Sequence, residues 1–234
     1  MRIRVLVTTL VVAVVVSVAS AQVSLGNERI VSGDYAGAVE AFETAVETND
    51  RSAYAWLLLA RSRTYLADTL PSSEADTRQA LYESALEAAE TAVALDPNEA
   101  DAHMEVARAA GRNAQFQGVL NSINLAGMVK DALDRTLELE PDHGPALHAL
   151  GLFHHEVPWI AGGRSRQVVP SFEAAIAAEP QRITHRVELA KILIAREETD
   201  AAREQLAAAI GIEPQSAADT ADLEEAETLL ASLP

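Results

Sequence analysis

Residues 180–214 read PQRITHRVELAKILIAREETDAAREQLAAAIGIEP. The stretch starts and ends on a proline, and each proline follows a glutamate at the end of an apolar run. Proline cannot continue a helix and biases its predecessor away from one. Each Glu-Pro is therefore a helix stop, and the period between the two stops is 34 residues. Two helices fit that length. Arg186, Leu189 and Ala190 open the first; Ala202, Leu206 and Ala209 recur in the second before Pro214. The small residues stand where paired helices approach too closely for a large side chain, and the large apolar ones fill the gap between pairs. Such a hairpin cannot bury its apolar face alone and needs neighbours of the same kind.

The same stop recurs upstream in AVALDP (Pro97), LELEP (Pro141) and AAEP (Pro180). A 34-residue helical hairpin with the pattern W-x2-L-G-x2-Y, A-x3-F-x2-A and a final Pro is the tetratricopeptide repeat (TPR). A first unit carries Leu25-Gly26, a turn at Gly33-Asp34-Tyr35, and Ala38, Phe42 and Ala45, with Asp50 where Pro would stand. A second carries Trp56, Leu59 and Ala60, then Ala85 and Ala92. A third has His103, Val106 and Ala107, then Leu133 and Thr136. A fourth has Leu147, Leu150 and Gly151, then Phe172 and Ala175. The expected fold is all-α, a TPR-like right-handed α-solenoid of about five helix pairs plus a C-terminal capping helix. The units run 22–50, 53–97, 100–141, 144–180 and 183–214, with a cap at 217–230, all in a single domain from 22 to 234.

Stop-to-stop spacing is uneven: 47 residues from Asp50 to Pro97, then 44, 39 and 34. The excess falls in ADTLPSSEADTRQ (67–79), QFQGVLNSIN (115–124) and VPWIAGG (157–163), each between the two helices of its unit and each expected as a loop. The spacing and the segments ALEAAETAVALDPNEADAH, MVKDALDRTLELEPDHGPALHALGLFHHEVPW and EPQSAADTADLEEAETLL resemble the regulator of microtubule dynamics family and its bacterial secreted relatives, over residues 84–230. That resemblance implies a TPR fold; for eukaryotic members it also implies microtubule association, which is not carried over to a secreted chain. A second resemblance is to the TPR subunits accompanying TRAP-transporter solute-binding proteins. It rests on the signal, the irregular units and the Gly-Gly insertion, and it departs in lacking a lipoprotein Cys.

The N-terminus supplies the secretion signal. Arg2 and Arg4 precede an apolar run from Val5 to Val18, and Ala19-Ser20-Ala21 is an A-x-A cleavage site. Residues 1–21 are expected to be a cleaved signal peptide, with retention as an anchor the alternative. The run is short of the roughly 20 residues that span a bilayer. The mature chain from Gln22 is then secreted or periplasmic, with no membrane insertion after cleavage. There is no Cys, which excludes disulfides, thiol chemistry and a lipoprotein anchor. The net charge of −17, with 35 acidic against 18 basic residues, argues against nucleic acid and anionic lipid as partners.

The first helix of each TPR unit lines the concave face. Its outward places here are Tyr54, Leu57, Arg61 and Tyr65; Asp101, Met104, Arg108 and Arg112; His148, Leu152, His155 and Glu156; and Val187, Lys191 and Ile194. Arg61, Arg108 and Lys191 take equivalent places and form a basic stripe. Either they fork onto carboxylates of an acidic peptide or protein, or they pair with acidic neighbours along the helix. The candidate groove residues are Tyr54, Arg61, Tyr65, Arg108, Arg112, His148, His155 and Lys191, with Trp159 and Ile160 as a lip. Four of the six histidines lie in EPDHGPALHALGLFHHEVPWIAGG (140–163). His148 and His155 are seven apart, about 10 Å by helix rise, too far for one metal. They read as groove-facing, His154 as core and His143 as inter-unit turn. No catalytic motif and no strand pattern is present. The reading is a non-catalytic binding scaffold with a protein or peptide partner, no metal and no cofactor. A small-ligand or transport-accessory role is the alternative. Nothing in the sequence sets the oligomeric state.

Overall fold

The computed structural model describes residues 2–116 and 119–234; the side chains of 1–16, 119–121 and 217 lie outside that description, and with them most of the signal-peptide reading and part of the 115–124 insertion. The described residues form α-helices and short 3-10 turns, without strands. They fall into two compact units, 1–139 and 140–234, each described by itself.

The first unit holds three hairpins: α1 (Arg2–Ser32) with α2 (Tyr35–Thr48), α3 (Ala53–Thr69) with α4 (Ala75–Leu95), and α5 (Ala100–Ala114) with α6 (Val119–Leu139). The second holds α7 (Gly144–Glu156) with α8 (Val168–Ala178), α9 (Ile183–Ala195) with α10 (Thr199–Ile210), and the last helix α11 (Ala217–Ser232). Local chemistry sets the ends. Gly33 takes φ +79 at the α1–α2 turn, a conformation that favours glycine. Asp34 then caps α2 by accepting from the Gly37 amide. Ser52 caps α3 in the same way, and the His143 ring caps α7 through Nδ1.

Counting back from the stops reveals what each second helix must bury. Eight residues before the stop stand Phe42, Ala89, Leu133, Phe172 and Leu206; five before it stand Ala45, Ala92, Thr136, Ala175 and Ala209. All ten are fully buried. The small residues of the first helices face the large ones. An added Cβ on Gly26 would lie 2.5 Å from the Phe42 ring, and one on Gly151 would lie 2.7 Å from the Phe172 ring. In the second unit Phe172 joins Ile183, Val187, Leu189, Leu193 and Leu206 in one core, which α11 closes with Ala226 and, partly buried, Leu223 and Leu230.

Among the described residues, two of the three insertions are largely helical. α3 runs to Thr69, a 3-10 turn covers Ser72–Glu74, and α4 begins at Ala75. Residues 119–124 likewise belong to α6. The additional residues lengthen α4 and α6 to 21 residues each, against 14, 11 and 12 for α2, α8 and α10. Ala, Glu, Arg and Gln in EADTRQ favour helix over coil, so an acidic stretch became an exposed helical turn. Only VPWIAGG remains irregular, around the 3-10 turn Trp159–Ala161.

Substituting Gly151 by Val should drive the new side chain into Phe172 and cost about 1–3 kcal/mol. Adding Phe172→Leu should recover part of that loss. Urea unfolding of the two single variants and the double variant measures the coupling; strict additivity would contradict the close approach.

Candidate functional site

The outward faces of α3 and α5 carry the first unit's candidate residues, and the structure joins them by charge. Glu105 of α5 is 1% exposed. Its Oε1 accepts from Arg61 Nε of α3 at 2.7 Å, and its Oε2 accepts from Arg108 Nε at 3.1 Å. Arg61 Nη2 also lies 3.2 Å from Asp101. The Arg108 guanidinium sits over the Tyr65 ring at 5.8 Å, and Tyr65 meets Tyr35 edge-on at 5.4 Å. Burial opposes the charge on Arg61 and Arg108, but the field and hydrogen bonds of Glu105 together with Tyr65, and with Asp101 for Arg61, outweigh it and raise both pKa values. A buried carboxylate needs paired charge and satisfied lone pairs; here two arginines supply both.

A second clasp lies beside it. Asp68 at the end of α3 accepts from Arg112 of α5 at 3.1 Å and from the Tyr82 hydroxyl of α4 at 2.7 Å. Tyr82 is fully buried, and burial pushes its phenol upward. Arg63 ties α3 to its other neighbours, donating to the Ser84 carbonyl and to Glu43.

These contacts replace an open basic stripe with paired charges. Arg61, Arg108 and Arg112 each meet a carboxylate, mostly across helices rather than at the i, i+4 spacing. Lys191 in the second unit does so with Glu188 at 2.9 Å and Glu225 of α11 at 3.2 Å. Burial opposes the Lys191 charge, and the two glutamates more than offset it, so its pKa rises. Leu57, Met104 and Val187, read from sequence as outward, are instead buried at 1%, 3% and 1%. Val187 belongs to the core of the second unit. Tyr54 is 55% exposed, and Arg112 and His155 are exposed as well.

His148 does not point to solvent alone. Its Nδ1 is 3.0 Å from His185 Nδ1, and its ring meets Phe172 edge-on at 5.1 Å. His154 is buried, as its place in the repeat required. Among the described residues no three His, Asp or Glu side chains take an arrangement that would hold a metal ion. Sequence reading missed Glu105, Asp68 and His185. Glu105 had a signal: a carboxylate on the apolar side of α5, three residues before Arg108.

Trp159 and Ile160 are the most exposed large apolar side chains of the second unit, at 84% and 68%. Their loop is held tightly. The amides of Ala161 and Gly163 donate to the Pro158 carbonyl, and Arg196 donates to the Ser165 carbonyl. Gly163 leaves no space for a Cβ, whose position is 1.6 Å from the Val157 carbonyl oxygen. Two clefts, of about 610 and 360 Å³, open elsewhere. The larger is lined by Val93, Val106, Met128, Glu90 and Asp131; the smaller touches Tyr54.

Glu105→Gln should leave two arginines without their shared anion. The expected cost is about 3 kcal/mol, at the lower end for a buried pair because both guanidinium groups reach solvent. Denaturant titration of this variant against wild type checks it, and a loss below about 1 kcal/mol would contradict the clasp.

Solved structures share this arrangement of hairpins. The thermophilic TPR protein TTC0263 of Thermus thermophilus superposes with a TM-score of 0.74 at 21% identity, covering 90% of this chain and 99% of that one. PilF of Pseudomonas aeruginosa gives 0.58 at 19% identity, covering 93% and 89%. MamA (41-end) from Desulfovibrio magneticus RS-1 gives 0.55 at 12% identity, covering 82% and 93%. These likenesses establish a TPR-like α-solenoid. None of the curated proteins compared matches the chain. The family described as Regulator of microtubule dynamics protein 1-3 matches residues 29–160. The match starts well before the stretch from 84 to 230 read in the sequence, and it stops at Ile160, so the EPQSAADTADLEEAETLL segment lies outside it. More than half of the 234 residues are matched, and the chain belongs to the regulator of microtubule dynamics family.

Proposed function

We propose that the protein is a non-catalytic scaffold that binds a protein or peptide through the outward faces of its first helices. The observation carrying this reading is the Arg61–Glu105–Arg108 clasp with Tyr65. It makes the α3–α5 face rigid, polar and nearly charge-balanced, with exposed Tyr54 and Arg112 beside it. A pre-set polar face with aromatic and arginine groups suits a peptide, whose backbone and side chains supply many weak contacts. Because the stripe's cations are already paired, charge alone does not select the partner. An acidic segment gains only where it displaces an existing carboxylate. In the second unit, exposed Trp159 and Ile160 supply an apolar contact on a stiff loop.

A small-ligand or transport-accessory role is the weaker reading. The cleft of about 610 Å³ could take a small molecule, but it is lined by residues of α4, α5 and α6, away from the clasp. The location we propose is outside the cytoplasm after removal of residues 1–21, on the strength of the n-region, apolar run and A-x-A site. α1 continues through that site as helix, and Gln22–Ser32 retains Gly26 for its contact with Phe42.

Two experiments test this. The N-terminal sequence of protein recovered from the producing cells should begin at Gln22; an intact Met1 in the recovered protein would overturn the signal. In affinity capture from periplasmic extract, Tyr54→Ser with Arg112→Ser should lower recovery of a bound protein at least about tenfold, the effect of about 1.4 kcal/mol. Trp159→Ser with Ile160→Ser is the parallel test on the second unit. If neither pair changes what is retained, the binding faces lie elsewhere.

A further inference from the structure

His185 plays no part in the reading above and His148 enters it only as a groove-facing side chain, yet the two form a polar contact inside the second unit. His185 is buried, and its Nε2 lies 3.0 Å from Glu179 Oε2. Its Nδ1 lies 3.0 Å from His148 Nδ1. Three elements meet here: α7 gives His148, the residue after α8 gives Glu179, and α9 gives His185. Gly144, at the start of α7, lies so close to Glu179 that a Cβ there would be 2.5 Å from its carboxylate oxygen.

The chemistry of the three groups fixes where the hydrogens are. A carboxylate only accepts, so His185 Nε2 carries a hydrogen and donates to Glu179. Burial lowers the His185 pKa from 6.5 despite the opposing pull of Glu179, and Arg182 adds to the lowering. The ring is therefore neutral at about pH 7, and its Nδ1 is a bare acceptor. His148 Nδ1 must then carry the hydrogen that joins the rings. The donors run in one direction, from His148 to His185 to Glu179.

We propose that the α7–α9 junction is a proton-operated joint, closed by this two-bond chain and opened when both imidazoles are charged. A first added proton leaves an imidazolium–imidazole pair that keeps the inter-ring bond; a second sets two N–H groups face to face at the present 3.0 Å. The inter-ring bond is lost and becomes a repulsion, which only separation or ring rotation relieves. The charged groups that act on His185 are Glu179 and Arg182, whose guanidinium is 3.8 Å from Glu179. The next groups out are Asp222 of α11, bonded to Thr184, and Gln205 of α10, bonded to Arg186. Because both imidazoles share one hydrogen bond, they titrate as a pair rather than singly.

The sign follows from the lowered pKa. An unfolded histidine takes its proton near pH 6.5, and the folded one only at lower pH. Stability is complete above about 6.5 and is lost as pH falls from there through the folded value. The effect acts on the face that carries His148, His155 and Lys191, independently of what that face binds.

Long-range proton–nitrogen NMR of the histidine-labelled full chain at about pH 7.5 tests the bond directly. It should show His185 as the Nε2–H tautomer and His148 as the Nδ1–H tautomer. Lowering the pH should shift both rings together. His185 found as the Nδ1–H tautomer, or two independent titrations near about 6.5, would overturn the joint. A melting series gives a second readout. Between about pH 7.5 and 5.5 the wild type should lose about 2–4 °C more than His148→Phe, which retains the ring against Phe172 but has no donor. Parallel slopes would sink the proposal, whatever the variant's starting stability.

Discussion

The closeness of paired helices governs the rest of this structure. Where Gly26 meets Phe42 and Gly151 meets Phe172, one backbone lies against the partner's ring with no room for a single carbon. That fit sets the distance between the helices of a hairpin, and hence which side chains can be shared with the next one. Alanines at the equivalent places of other hairpins serve the same end. A chain with four Phe and eleven Gly can build a core this way because its helices, not its side chains, do most of the filling.

Electrostatics then finish what packing begins. A chain of charge −17 repels itself, and an unpaired cation on its surface would be rare. The described arginines of α3 and α5 are instead shared out among Glu105, Asp101, Asp68 and Glu43. Glu105 is the centre, since it links two successive hairpins through one buried carboxylate. Exchange of Arg for Lys there would lose the planar fork that lets one cation meet Glu105 and Asp101 together. The scarcity of Lys, two among eighteen basic residues, fits that use.

The hairpins were legible in the sequence because a stop and a burial pattern are local properties. Pro97, Pro141, Pro180 and Pro214 end their helices through covalent geometry, and the residues five and eight places before them repeat visibly. The face was less legible. Arg61 looked open because its partner Glu105 is 44 residues away and no short-range pattern connects the two, whereas Glu105 stands only three residues before Arg108. Leu57, Met104 and Val187 looked outward because helical position alone does not show how deeply the next hairpin overlaps the first. The 67–79 insertion looked like a loop because Pro71 and its acids signal a break. The break is real but brief, and helix resumes at Ala75. His185 escaped notice because its value lies in two partners that approach only after folding.

The long second helices change how such repeats should be compared. In α4 the first buried residue is Tyr82, so the turns from Ala75 to Leu81 stand ahead of the packed part of the helix. Length added there alters neither the phase of the buried face nor the contacts eight and five residues before the stop. Insertions and deletions can therefore accumulate at that end with little penalty, while the stop end is held in register. Relatives of this chain would align poorly when matched from the start of each repeat and well when matched backward from its closing proline. Divergence within the lineage should be concentrated on the upstream side of every second helix.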